Sequence, residues 1–62
     1  MFIVTVINNE YKWYLKSTTW TGFLDRADKF MTEQEARDAA KRAEKFMHPR
    51  IKRNYKIDDL TK

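Results

Sequence analysis

Phe2-Ile3-Val4-Thr5-Val6-Ile7, then Asn8-Asn9-Glu10, then Tyr11-Lys12-Trp13-Tyr14-Leu15-Lys16 is the run that decides the fold. The first six residues are β-branched or aromatic and too few for a stable helix, so they read as a strand. Asn tolerates the left-handed backbone that tight turns require, which makes Asn8-Asn9-Glu10 a turn. In the second run Tyr11, Trp13 and Leu15 alternate with Lys12, Tyr14 and Lys16, the period of a half-buried strand. Together they predict a β-hairpin.

Working outward, Ser17 to Gly22 is a polar linker that carries Trp20. Gly22 is the only glycine and marks a turn or a close backbone approach. Phe23 to Met31 is ambiguous: Ala27–Phe30 reads either as a short third strand or as a helical turn. Thr32-Glu33-Gln34-Glu35 matches a capping box, and Met31 with Ala36 matches a hydrophobic staple. Ala36, Ala39, Ala40, Ala43, Phe46 and Met47 then recur on one helical face, and Pro49 stops the helix. Most of that face is alanine, so the large core residues must come from the sheet: Phe2, Trp13, Leu15 and Tyr55. Arg50 to Ile57 reads as the last strand, with Ile51, Tyr55 and Ile57 on one parity. Asp58 to Lys62 reads as a frayed tail.

The predicted class is therefore α+β. A small antiparallel sheet of three to four strands, in the order β-β-(β)-α-β, carries one helix across one face. Residues 1–62 form a single domain in this reading. The chain has no cysteine, so neither a disulfide nor a Cys-based zinc site staples it. No run approaches the roughly 20 apolar residues that span a bilayer. The N-terminus lacks a signal-peptide pattern. The expectation is a complete short protein used in a cytoplasm.

One helix covers one face of a small sheet, yet the first strand is apolar on both parities. The uncovered face would carry Ile3, Thr5, Ile7 and Tyr14 among Lys12 and Lys16. It reads either as a half-wet face, as a homodimer or partner surface, or as a face closed by the Trp20 loop.

A catalytic reading finds little support. His48 is the sole histidine. It is read at the helix C-terminus, where the dipole favours a cation, and it has no nucleophile or orienting partner. Asp25 and Asp28 lie in an unconstrained linker, and paired acids need a defined separation. No calcium-loop or phosphate-loop spacing is present. The expectation is a non-enzyme with no cofactor and no metal.

Charge gives the strongest functional lead. Lys41, Arg42, Lys45, Arg50, Lys52, Arg53 and Lys56 are opposed between positions 41 and 56 only by Glu44, whereas the chain around Asp25–Asp38 is acidic. One reading is structural. Cations suit a helix end, Asp38–Arg42 and Glu33–Arg37 are spaced to pair, and Lys52 and Lys56 guard a sheet edge. The other sets these cations against an acidic protein or against phosphates. Trp20, alone in a polar loop, is either a lid over the core or an interface anchor.

Tyr14-Leu15-Lys16, Trp20, Ala27-x-x-Phe30 and Thr32-x-x-Glu35-Ala36 together resemble a layout found in small bacteriophage and prophage accessory proteins, over about residues 11–46. The resemblance implies a short third strand at Ala27–Phe30. It also implies action by occupying the surface of a host or defence protein, as anti-CRISPR and anti-restriction proteins do. The leading expectation is thus stoichiometric protein binding through Tyr14, Trp20, Lys41, Lys45, Arg50, Lys52, Arg53 and Lys56. The alternative is a nucleic-acid-binding domain using Lys41 to Lys56, and the third a homo-oligomer through the Ile3, Thr5, Ile7 and Tyr14 face.

Overall fold

The computed structural model describes residues 1–61. It is α+β. Strands β1 (Phe2–Asn8), β2 (Tyr11–Lys16), β3 (Thr19–Thr21) and β4 (Lys56–Asp59) form one antiparallel sheet in the order β3-β2-β1-β4. Helix α1 (Glu33–Ala43) packs across one face, and a short helix α2 (Pro49–Asn54) leads into β4.

The hairpin forms as expected. Asn9 and Glu10 both take positive φ, 54° and 71°, as a two-residue turn of type I′ requires, and that geometry matches the strand twist. Thr5 lies opposite Tyr14 and Val6 opposite Trp13. A second two-residue turn follows at Ser17-Thr18, with Ser17 at φ 56° and Thr19 opposite Lys16. The third strand is therefore the Thr-Trp-Thr run read as linker. Its β-branched and aromatic residues satisfy strand propensity, and the tight turn returns them onto β2.

Ala27–Phe30 is neither strand nor helix. Phe30 makes a single bridge to Phe2, exchanging backbone hydrogen bonds of 2.7 and 2.8 Å. Asp28 N–H donates to the Leu15 carbonyl at 3.1 Å, so this segment ties the start of β1 to the end of β2. Gly22 has no positive φ, and a Cβ there would meet Trp13 at an ordinary 3.9 Å. It is a bend without a steric need for glycine.

The cap of α1 is half as expected. The Thr32 hydroxyl accepts from Glu35 N–H at 3.1 Å. The Glu35 carboxylate, however, accepts from Met31 N–H at 3.3 Å rather than from Thr32. Met31 is 72% exposed, so the staple is not made. The helix ends at Ala43, followed by a 3-10 turn at Glu44–Phe46.

Arg50 to Ile57 is not one strand. Pro49 starts α2 instead of only stopping α1, because its fixed φ suits the first helical position. His48 thus heads a helix: its Nδ1 accepts from Arg50 N–H at 3.2 Å. Ile51 and Tyr55 share a parity, but they are also four apart and equally helical. β4 takes Asp58 and Asp59, so these two residues are strand and not the start of a frayed tail. Lys62 lies outside the described residues.

The core is Val4 and Leu15 from the sheet against Ala36, Ala40 and Ala43, with Phe2, Trp20, Phe30, Met47, Tyr55 and Ile57 around them. Alanine lets the helix axis sit close, so each small side chain is sealed by the large ones. The reverse face is less open than the alternation predicts. Ile3 and Thr5 are 1% and 3% exposed. Ile3 borders one depression with Tyr14, Leu24 and Leu60. The Thr5 hydroxyl donates to Asp58 at 3.0 Å, and Lys12 pairs with the same carboxylate at 3.2 Å. Of the four residues expected on an open face, Ile7 is well exposed and Tyr14 is half-buried.

Candidate binding surface

Three elements bring the basic residues together. The last turn of α1 carries Lys41 and Arg42, and the 3-10 turn carries Lys45. Helix α2 carries Arg50, Lys52 and Arg53, and β4 opens with Lys56. All seven are exposed. Shared depressions join six of them, all but Arg50, into a band. Lys56 and Lys41 border one. Lys41, Arg42 and Lys45 border the next, against the Ser17-Thr18 turn. Lys45, Lys52 and Arg53 border a third. These depressions are open to solvent and form no enclosed chamber.

The band is electrostatically unspent. Among the described residues the ion pairs are Lys12–Asp58 and Arg37–Glu33, the second at 3.0 Å. None of the seven cations has a carboxylate partner. Asp38, spaced to pair with Arg42, instead accepts from the Gln34 amide at 3.0 Å. Glu44, the one acid in the stretch, accepts from the Tyr55 hydroxyl at 2.9 Å. Burial pushes the Tyr55 phenol above its ordinary value of 10.0; the hydrogen bond to Glu44 and that residue's charge add to the shift, while Arg37 opposes it.

The two aromatic residues expected to anchor a partner border none of these three depressions and lie on opposite faces of the sheet. Tyr14 lies opposite Thr5 and Thr21 and so shares their reverse face. Its ring lies 5.9 Å from the Lys12 ammonium. Trp20 lies opposite Leu15 and packs half-buried against the core on the helix side, which makes it a lid. The aromatic residue that the band does contain is Phe46. It is 63% exposed, with the Lys45 ammonium 5.2 Å from its ring centroid, within cation–π range. Sequence periodicity placed Phe46 in the core because the helix was read past Ala43. The signal that could have corrected this is the Lys45-Phe46-Met47-His48-Pro49 sequence, where proline and a capping histidine demand a break.

Asp28 Oδ2 accepts from Ser17 N–H at 2.6 Å, which holds the strained turn. Asp25 is exposed in the 3-10 turn at Leu24–Arg26. Among the described residues no cluster of three His, Cys, Asp or Glu could hold a metal ion. Among the described residues no helix is long and apolar enough to cross a membrane.

Neither a scan against protein-family models nor searches of curated proteins and of solved structures returns a match to this chain.

Proposed function

We propose that this protein works by stoichiometric, non-covalent binding of an acidic protein surface through the band Lys41-Arg42-Lys45-Arg50-Lys52-Arg53-Lys56, with Phe46 as its apolar anchor. One observation carries the reading: seven exposed cations, six of them joined by shared depressions, have no carboxylate partner among the described residues. Like charges held together cost stability, and an acidic partner would remove that cost on binding. An exposed aromatic ring that lies beside Lys45 and shares a depression with Lys41 and Arg42 suits a protein hot spot. Occlusion of a partner's surface needs no reactive group, which agrees with the resemblance to phage accessory proteins that inhibit by steric cover.

A second reading, binding of nucleic-acid phosphates, rests on the same unpaired cations. It is less well supported because a single-strand binder needs several stacking rings along its groove. Here Tyr14 and Trp20 lie on opposite faces of the sheet and so cannot line one groove.

The test is affinity capture from lysate, untreated and nuclease-treated in parallel, with the wild-type chain and with an Arg42→Glu/Lys45→Glu variant. An acidic protein retained by the first and lost by the second is the expected result. Loss of all capture on nuclease treatment would transfer the band to nucleic acid, and equal capture by both chains would remove it from the interface.

A further inference from the structure

The outer edge of β4 carries a self-complementary pattern. Backbone direction can be followed from two fixed points. Phe2 exchanges both its hydrogen bonds with Phe30, on the β2 side of β1. The Met1 carbonyl accepts from Leu60 N–H, on the β4 side. Backbone groups alternate sides along a strand, so Ile3 and Thr5 face β4. Their partners across the ladder, Asp58 and Lys56, therefore face β1. Ile57 lies between them and points its N–H and C=O outward, away from the sheet.

A regular antiparallel pairing of this edge with a second copy must set outward residue opposite outward residue, which allows registers only in steps of two. With Ile57 opposite Ile57, Lys56 of each copy faces Asp58 of the other. Slipping one step sets Asp58 against Asp58; slipping the other way sets Lys56 against Lys56. Charges on an edge strand normally discourage pairing. Here they favour one register and discourage the two next to it. The same two-fold axis sets neighbouring grooves in opposite directions, because α1 runs antiparallel to β4: Glu44 near its end reaches Tyr55, while Phe30 before its start bridges Phe2 opposite Asp59. The Glu33 end of one groove thus faces the Lys41 end of the other.

The geometry points to a second copy of this chain as the occupant of the β4 edge, joined through an Ile57–Ile57 backbone pair flanked by two Lys56–Asp58 pairs in one continuous sheet. The axis keeps both α1 helices on one face. This inference does not depend on the identity of the acidic partner; it commits Lys56 to the seam and leaves the other six cations of the band to that partner.

Sedimentation of the full chain up to about 1 mM, the range in which a weak dimer becomes visible, gives the first readout. Mass that rises with concentration is expected. Amide hydrogen exchange gives the second: Ile57 should slow as concentration rises, while Lys56 and Asp58 should already be slow when dilute. Lys56→Glu puts like charges opposite in the favoured register and should weaken self-association roughly tenfold. Circular dichroism checks that this variant stays folded, and the exchange pattern of the wild-type chain decides the matter if it does not. A chain that remains monomeric throughout, an Ile57 amide whose exchange ignores concentration, or a folded Lys56→Glu variant that associates unchanged would each overturn the proposal.

Discussion

Glu10 holds φ at 71° without the chemistry that makes this comfortable. A side chain in the left-handed region costs about 1–2 kcal/mol, and asparagine relieves part of that where glutamate does not. Asn9 is suited to its place; Glu10 is not, and an Asn-Gly pair is the preferred sequence for this turn. Glu10→Gly should therefore raise stability by about 0.5–1 kcal/mol after the extra entropy of the unfolded glycine is subtracted, readable as a higher urea midpoint with unchanged slope. Tyr55 supplies a pH dependence of definite sign. Its phenol is raised in the folded state by burial first and by Glu44 second. The folded form thus holds the proton more tightly than the unfolded chain. The resulting stabilisation is complete below the ordinary value near 10.0 and is lost as pH climbs through the raised one. Wild type should lose stability across that alkaline window faster than Tyr55→Phe, which cannot ionise there. Parallel curves would show that neither the burial of Tyr55 nor its bond to Glu44 couples its proton to folding.

At the scale of elements, the hairpin and α1 were readable because local and long-range signals agree. Asn8-Asn9-Glu10 interrupts two strand-like runs, and Thr32 with Glu35 precedes a face of alanines. The rest failed where one residue type serves two periods. Ile51 and Tyr55 fit a strand by parity and a helix by spacing, and Pro49 both ends one helix and starts the next. Thr19-Trp20-Thr21 is too short to show alternation, so only the turn geometry at Ser17 turns it into β3. The charged band was legible as a run of residues, while its anchor Phe46 was not, since its exposure depends on α1 ending at Ala43. The alanine face makes its own prediction. Ala36 and Ala40 are 0% exposed under Val4 and Leu15. Ala40→Leu would add three carbons where no space exists and should cost about 1–3 kcal/mol. Ala39, half-buried beside the same face, should tolerate the larger side chain better. A thermal comparison of the two leucine variants checks whether close helix approach is what the alanines provide.

For the whole molecule, the accessible surface is 4726 Å². A standard interface takes about 800 Å² from each partner, close to a sixth of this surface. A chain of this size can therefore present one such interface on a single side, and the basic band is the side with unspent charge. Two accounts of that band differ in what neutralising it should do. If Lys45, Lys52 and Arg53 serve the ends of α1 and α2 through the helix dipole, each supplies a few tenths of a kcal/mol up to about 1 kcal/mol, and their joint loss should be visible. If they serve a partner, their mutual repulsion offsets the dipole term. Then Lys45→Gln/Lys52→Gln/Arg53→Gln should leave stability within about 0.5 kcal/mol of wild type, as for surface sites without a structural duty, while partner capture falls. Salt separates the accounts a second time. Screening weakens a dipole contribution and lowers the melting temperature, but it relieves repulsion among unpaired cations and raises it. A melting temperature that climbs with added salt in the wild type, and climbs less in the triple variant, is the outcome the binding account requires. A fall with salt, together with a destabilised triple variant, would return these residues to holding up the fold.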